Sequence, residues 1–293
     1  MFHSDALVLN PMPAKTLFSS LNNYVLIFIL SLISALVRAD DIWSYWDQSN
    51  DNNTATIDHT LWQDNLKTYL SSNHPSGIHL YDYQAVTTSD KQSLASYLNQ
   101  MSKLDPRDYA KQEQKAYWIN LYNALTVQLI LDHYPTTSIR KLGDSFFSFG
   151  PWDDPAITVA GQTLTLNDIE HRILRPIWKD PRIHYAVNCA SLSCPNLAAS
   201  AYTSDNIEAL LEEGAKAYIN HSRGVSWEDE ELVLSKIYHW YQADFGKEEK
   251  DVIQHLIRYA SPELATRLKQ YDEDHNGIDY RYDWSLNELQ ASK

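Results

Sequence analysis

The chain has 293 residues and carries 24 lysines and arginines against 38 aspartates and glutamates, which gives a formal net charge of −14. This length, with an apolar fraction of 44%, is typical of an ordered globular protein with a sizeable core. Binding to a phosphate backbone needs clustered basic side chains, so the acidic balance argues against a nucleic-acid partner. We expect a small-molecule, peptide or protein ligand instead.

Residues 1–39 have the pattern of a signal peptide. The uncharged run from Tyr24 to Val37 is shorter than the roughly 20 residues that a membrane-spanning helix needs. Val37 and Ala39 supply the small residues of a cleavage site. An uncleaved anchor is the alternative interpretation, and Met12 is an alternative start. We expect cleavage, export to the periplasm or the medium, and no stable membrane insertion of the mature chain.

The rest of the chain is predicted to form a polar lead-in at residues 40–57 and a single globular domain at residues 58–293. Hydrophobic periodicity and capping residues predict helices at 59–72, 89–104, 109–133, 166–174, 204–220, 237–245, 250–259 and 262–269. Alternating patterns predict strands at 78–86 and 182–188, and hairpins at 156–165 and 225–235. These elements indicate an α+β fold, dominated by helices, with a small antiparallel sheet.

The helix at 109–133 is apolar nearly all round, which predicts a buried central helix. Asn120 and Asn123 lie three residues apart on one face of this helix. Because buried amides must be hydrogen-bonded, they either hold a neighbouring loop or line a site. Holding a loop is the favoured interpretation, and both residues are also candidates for substrate binding.

The segment from Asp180 to Asn196, DPRIHYAVNCASLSCPN, carries the strongest functional signal. On a strand, His184 and Asn188 would share one face, immediately before a loop that holds Cys189 and Cys194. Thiolate chemistry needs an imidazole within hydrogen-bonding reach, so this segment predicts a nucleophile and a base.

Two further groups complete that candidate site. Glu170, in the preceding helix, offers a carboxylate that can orient the imidazole of His184. Ser193 is a candidate substrate-binding residue, in a turn whose backbone amides could receive an oxyanion.

The cysteines allow a second interpretation, which the residue types alone favour. In an oxidising compartment two neighbouring cysteines most often form a structural disulfide. Two cysteines without an accompanying CxxC or HxxxH spacing do not make a zinc site, so we expect neither a metal nor a cofactor.

Several stretches in the same order resemble domain of unknown function family 547. They are KAYWINLYNALTVQLIL (115–131), LTLNDIEHRILRP (164–176), DPRIHYAVNCASLSCPNL (180–197), AYTSDNIEALLEEGAKAYIN (201–220), SKIYHWYQADFG (235–246) and YDWSLN (282–287). The resemblance runs from about residue 60 to 287, and bacterial members are similar exported single-domain proteins. It implies a recurring block at His184, Asn188, Cys189, Ser191, Ser193 and Cys194, with an acidic helix residue at Glu170.

A weaker analogy relates the chain to papain- and transglutaminase-like folds. These folds place a nucleophilic cysteine at the start of a buried helix and a histidine on a following strand. The central helix here contains no cysteine. If the analogy holds, either the nucleophile lies in the cysteine loop or the domain is a pseudo-enzyme.

Two functional hypotheses follow. The first is an exported thiol-dependent hydrolase or transferase acting on an amide or thioester, in which Cys194 or Cys189 attacks, His184 is the base, and Glu170 or Asn188 orients it. The second is a non-catalytic binding or scaffold domain with a structural Cys189–Cys194 disulfide.

Overall fold

A computed structural model describes residues 43–143, 150–274 and 277–290 of the chain. The expected signal peptide at residues 1–39 lies outside these residues, as does the start of the polar lead-in. Helices and short strands alternate along the described chain, so the predicted α+β fold class is confirmed. Within these residues, no helix combines the length and the apolar character that crossing a membrane requires.

Most of the predicted helices form within a few residues of their expected bounds. The α-helices are α1 (Thr60–Tyr69), α2 (Thr88–Ser102), α3 (Lys111–Asp132), α4 (Arg175–Trp178), α5 (Ile207–Ile219), α6 (Ile237–Trp240), α7 (Gln242–Phe245), α8 (Glu249–Tyr259) and α9 (Pro262–Asp274). The predicted helix at 237–245 is therefore two short helices that meet at Tyr241.

The strands form three small sheets rather than one. They are β1 (Leu70–Ser71), β2 (Leu80–Tyr81), β3 (Ile157–Val159), β4 (Gln162–Leu164), β5 (Val225–Glu228), β6 (Glu231–Ser235) and β7 (Ile278–Arg281). The β1–β2, β3–β4 and β5–β6 pairs are antiparallel, which confirms both predicted hairpins. The β7 strand adds to β6 in parallel. The strand predicted at 78–86 shortens to β2.

The core is built around α3, as its all-round apolar pattern predicts. Trp118, Ile119 and Leu121 are fully buried. Trp118 packs edge-on against Trp46 and Tyr117, with ring centroids 5.0 and 4.9 Å away. Such pairs contribute roughly 0.5–1.5 kcal/mol beyond the burial of apolar area. The helix thus provides a rigid base for the loops that lie against it.

The strand predicted at 182–188 is wrong, because residues Pro181–Tyr185 form a 3-10 helix. Asp180 caps this helix by accepting a hydrogen bond from the backbone N–H of Arg182. Pro181 fixes the backbone angle of the first helical residue. Because the segment turns instead of alternating, His184 and the neighbouring Tyr185 are both buried, against different partners. The histidine-bearing strand of the papain-like analogy is therefore absent here.

The predicted helix at 166–174 forms, but with π geometry over Asp168–Leu174. The backbone N–H of Arg175 bonds to the carbonyl oxygen of Glu170, five residues earlier. Short π segments inside helices are rare and are frequent at functional sites. This one carries Glu170 into the lining of a cavity that His184 and both cysteines also line.

Candidate active site

A cavity of about 460 Å³ brings together chemically active side chains from three separate segments. Its lining includes residues of five elements, namely the π-helix, the 3-10 helix, the cysteine loop, the α6–α7 junction and the C-terminal segment. The active side chains are those of Glu170, His171, His184, Cys189 and Cys194. Four of these five were predicted as catalytic from the sequence, and the structure places them around one space.

Four aromatic rings form a continuous surface on one side of this cavity, which we call the aromatic wall (Trp152, Trp240, Tyr282 and Trp284). Neighbouring ring centroids in the wall lie 4.6 to 5.6 Å apart. Trp240 is 42% exposed, an unusual exposure for so large an apolar side chain. Such exposed aromatic surface is typical of ligand contact.

Asn188 holds the cysteine loop in shape. Its Nδ2 donates to the carbonyl oxygen of Pro195 over 2.7 Å, and its Oδ1 accepts from the backbone N–H of Ala190 over 2.8 Å. Ala190 has a positive φ of 56°, a conformation that such side-chain support stabilises. Both polar groups of Asn188 are thus committed to its own loop. The predicted role of Asn188 in orienting His184 is not supported.

Cys189 and Cys194 are both free thiols in the structure. The backbone N–H of Cys189 donates to Sγ of Cys194 over 2.8 Å. Sγ of Cys189 lies 3.1 Å from Oη of Tyr282 and 3.2 Å from Oγ of Ser191. The Cys189 sulfur therefore lies between a hydroxyl group of its own loop and the hydroxyl group of Tyr282, from the C-terminal segment.

These contacts shift the pKa values of the two thiols in opposite directions. Burial opposes ionisation of Cys189, but hydrogen bonds from Cys194, Ser191 and Tyr282 outweigh it and lower the pKa of Cys189. Burial and the adjacent Cys189 raise the pKa of Cys194 well above its ordinary value. Burial and the nearby sulfur charges also raise the pKa of Tyr282, which keeps its hydroxyl a donor. Any thiolate in this pair therefore forms on Cys189.

His184 is fixed by Asp244, a residue that the sequence analysis did not single out. Nε2 of His184 lies 2.6 Å from Oδ2 of Asp244, and the imidazole stacks on Tyr241 with ring centroids 4.3 Å apart. Asp244 also accepts from Nε of Arg175 over 2.5 Å. Burial opposes ionisation of Asp244, but the bonds from His184 and Arg175 outweigh it and lower its pKa. The carboxylate is thus charged, and it holds the ring in one orientation.

Glu170 is buried at the cavity with no donor at hydrogen-bonding distance among the described residues. It is 6% exposed. Its Oε1 lies 3.8 Å from Nδ1 of His184 and 3.9 Å from Nδ1 of His171. His171 Nδ1 lies 3.1 Å from Nη1 of Arg175, and because arginine only donates, this ring nitrogen accepts. The carboxylate therefore faces the cavity with its own hydrogen-bonding capacity unused.

The three residues predicted to bind substrate lie outside the lining of this cavity. Asn120 is buried and exchanges hydrogen bonds with the backbone of Tyr202. Asn123 donates to the carbonyl oxygen of Ala186 and accepts from the backbone N–H of Asn188. These amides hold loops, as the favoured interpretation states, so substrate binding by Asn120 and Asn123 is not supported.

Ser193 is also committed to structure. Its Oγ accepts from the backbone N–H of Asp283 over 2.7 Å, and its carbonyl oxygen accepts from Oη of Tyr218. The backbone N–H groups of the turn donate to carbonyl oxygens already, namely Leu192 to Ser285, Ser193 to Asp283 and Cys194 to Ser191. An oxyanion site at the amides of Leu192, Ser193 and Cys194 is therefore not supported, whereas the backbone N–H of Ser191 bonds to the Cys189 sulfur.

Sequence reasoning missed Asp244 and Tyr282. Asp244 lies in SKIYHWYQADFG and Tyr282 begins YDWSLN, two of the stretches that carry the family resemblance. A polar residue inside such an aromatic-rich stretch was the available signal. No group of three or more His, Cys, Asp or Glu placed to hold a metal ion occurs in the described part of the chain.

Comparison with known proteins gives one match. A family model described as "Protein of unknown function, DUF547" matches residues 106–219. No curated protein and no solved structure matches the chain. The matched span contains Glu170, His184 and both cysteines, whereas Asp244 and Tyr282 lie beyond it. Residues 106–219 of this chain therefore match the DUF547 family of proteins of unknown function, which supports the family assignment for this part of the sequence.

Proposed function

We propose that this protein is a thiol-dependent hydrolase or transferase that acts on an amide or a thioester. The observation that carries the proposal is the environment of the Cys189 sulfur. It lies at a cavity of about 460 Å³, between the hydroxyl groups of Tyr282 and Ser191, and these contacts favour its ionised form. Reactive cysteines are distinguished from inert buried ones by this combination of access and lowered pKa.

Cys189 is the nucleophile in this proposal, and Cys194 supports it. The sequence pattern favours Cys194 over Cys189 as the nucleophile, but burial and the neighbouring sulfur raise the pKa of Cys194 well above its ordinary value. A protonated Cys194 donates toward Cys189 and stabilises its negative charge.

The reaction divides into acylation and deacylation. The Cys189 thiolate forms a bond to the carbonyl carbon, and the bond from that carbon to the amine or thiol leaving group breaks. The leaving group takes a proton from His184, and water or an acceptor amine, whose proton passes back to His184, then removes the acyl group from the sulfur. The Tyr282 hydroxyl, 3.1 Å from the sulfur, is the donor best placed for the oxyanion.

His184 and Glu170 are the acid–base groups of the proposal. Asp244 holds the imidazole in one orientation through Nε2, as the carboxylate of a catalytic triad does. Nδ1 of His184 faces Glu170, so a proton can pass between the ring and the carboxylate on the cavity side. We further propose that the mature protein acts after export, which rests on the signal-peptide pattern of residues 1–39.

The alternative function is a non-catalytic binding or scaffold domain in which Cys189 and Cys194 form a disulfide. The hydrogen bond between the Cys189 amide and the Cys194 sulfur favours it, because it shows that the two residues are close neighbours. In that case the cavity binds a ligand without reacting with it.

Intact-mass analysis of the purified native protein separates these functions. We expect the same mass with and without reductant, and one iodoacetamide adduct that peptide mapping places on Cys189. The Cys194→Ser variant should retain this adduct, and Cys189→Ser should lose it. A two-hydrogen increase in mass on reduction, with no adduct beforehand, would establish the disulfide alternative.

A further inference from the structure

We propose that the cavity recognises a cationic amine, so that the acyl substrate or acceptor carries an ammonium or guanidinium group that Glu170 receives and the aromatic wall covers. This inference deepens the proposed function and rests on it for the position of the reacting carbonyl at Cys189. The cation site itself is defined without the thiol.

The first argument is the unused capacity of Glu170. A carboxylate that is 6% exposed normally accepts several hydrogen bonds, because removing it from water is costly. Its nearest nitrogen neighbours are the two imidazole Nδ1 atoms at 3.8 and 3.9 Å. One of these, on His171, already accepts from Arg175. A ligand with several N–H donors would supply what the described residues do not.

The second argument is the aromatic wall. Cations are attracted to the faces of tryptophan and tyrosine rings within about 6 Å of the centroid. The wall already shows this behaviour at its edge, where the guanidinium of Arg140 lies 5.3 Å from the centroid of Trp284. Trp240 lies beside Trp284 and Tyr282 and keeps 42% of its surface exposed. An organic cation can therefore pack on Trp240 while its N–H groups point toward Glu170.

The third argument is the charge of the lining. Among the described residues that line the cavity, Glu170 and Asp153 are acidic, and no lysine or arginine is present. Arg175, which packs behind Tyr241, is paired with Asp244. Asn167 donates to Oδ1 of Asp153 over 2.8 Å and fixes this second carboxylate beside the cavity. With a chain net charge of −14, the cavity attracts cations and repels anions.

The test compares three probes of similar shape, namely benzylammonium, benzyl alcohol and benzoate, by titration calorimetry and tryptophan fluorescence. The protein is the full chain carrying Cys189→Ser, so that no covalent reaction intervenes. We expect benzylammonium to bind at least tenfold more tightly than benzyl alcohol, and benzoate not to bind. Adding Glu170→Gln should weaken benzylammonium about tenfold and leave benzyl alcohol unchanged. Trp240→Leu should weaken the binding of benzylammonium severalfold.

The matched control is Glu263→Gln, which removes an exposed carboxylate on α9 and should not change binding. Equal affinity for benzylammonium and benzyl alcohol, or an unchanged affinity in a folded Glu170→Gln protein, would overturn the inference. Circular dichroism establishes whether each variant is folded. If Glu170→Gln does not fold, Glu170→Asp replaces it as the test of the carboxylate.

The two proposals fail separately. Alkylation of Cys189 without selective binding of benzylammonium would leave the thiol function and remove the cation site. Selective binding of benzylammonium without alkylation of Cys189 would support the cation site and remove the thiol function.

Discussion

Nε2 of His184 lies 2.6 Å from Oδ2 of Asp244, a residue 60 positions further along the chain. This contact joins the 3-10 helix at Pro181–Tyr185 to α7, and it fixes the imidazole at the wall of the cavity. Arg175 donates to the same oxygen of Asp244, so the carboxylate is shared by two partners. Orientation of a histidine by a buried carboxylate is the arrangement that acid–base catalysis uses repeatedly.

The pH dependence of alkylation is the first prediction. Because hydrogen bonds lower the pKa of Cys189, its rate of reaction with iodoacetamide should reach half its maximum below pH 8.5, which is about the value for an ordinary thiol. N-acetylcysteine measured under the same conditions is the control. Cys194 has a raised pKa, so in Cys189→Ser any alkylation should require a higher pH than that control. A midpoint for Cys189 at or above that of N-acetylcysteine would contradict the assignment.

Tyr282→Phe tests the donor to the sulfur. Removing the hydroxyl 3.1 Å from Sγ of Cys189 deletes a hydrogen bond to the thiolate, and such bonds contribute roughly 1.5–3 kcal/mol. The alkylation midpoint should therefore move up by about one to two pH units. Tyr280→Phe is the matched control, because its hydroxyl bonds to Glu249 instead. An unchanged midpoint in Tyr282→Phe would show that the hydroxyl does not stabilise the thiolate.

Asp244→Asn separates activation of the nucleophile from acid–base work. An asparagine removes the carboxylate that orients His184, so turnover of an alkyl thioester substrate should fall about 100-fold. Iodoacetamide needs no proton transfer, so alkylation of Cys189 should change less than about threefold by the same reasoning. Steady-state kinetics and intact mass give the two readouts, and Asp205→Asn, in an exposed turn, is the control. Parallel loss of both rates would instead assign Asp244 a structural role.

The Lys115–Asp180 pair predicts a large effect on stability. Nζ of Lys115, which is 3% exposed, lies 2.7 Å from Oδ2 of Asp180. Asp180→Asn leaves this ammonium group buried without its closest counter-charge, so the free energy of unfolding in urea should fall by about 3–5 kcal/mol. Asp47→Asn removes a more exposed partner of Lys111 and should cost about 1 kcal/mol or less.

The Lys115–Asp180 pair also predicts that the free energy of unfolding decreases as the pH falls. Burial opposes ionisation of Asp180, but its bonds to Arg182 and Lys115 outweigh this and lower its pKa to about 2. The stabilisation is therefore complete above the unfolded-state pKa, near 3.9, and is lost as the pH falls through 2. The unfolding free energy of the Asp180→Asn variant should be less sensitive to pH in this range. Equal sensitivity in both proteins would contradict the pairing.

Local patterns predicted the fold well where local forces decide it. The apolar surface of α3 and the Gly161 turn of the β3–β4 hairpin are both short-range signals. The segment 182–188 was predicted as a strand because its residues alternate, yet the Asp180–Pro181 pair is a helix-start signal that outweighs alternation. The same Asp–Pro signal begins the 3-10 helix at Pro106–Asp108, which supports this explanation.

The residues of the candidate site also fall into those that a local segment predicts and those that tertiary packing brings in. Cys189, Cys194 and His184 lie within eleven residues, so their meeting was predictable from one segment. Tyr282 and Asp244 reach the site through tertiary packing, 93 positions from Cys189 and 60 from His184. No periodicity in a single sequence encodes such contacts. The buried amides of Asn120 and Asn123 show the limit in the other direction, because a polar residue in a core can hold a loop without touching a ligand.

Trapping of an acyl-enzyme tests the central claim most directly. The purified native protein is mixed with an alkyl thioester or an activated amide bearing an ammonium group, quenched in acid within seconds and analysed by intact mass and peptide mapping. We expect one added acyl group on Cys189, absent in Cys189→Ser and longer-lived in Asp244→Asn. An unmodified protein whose mass rises by two hydrogens on reduction, or an acyl group on Cys194 alone, would contradict it.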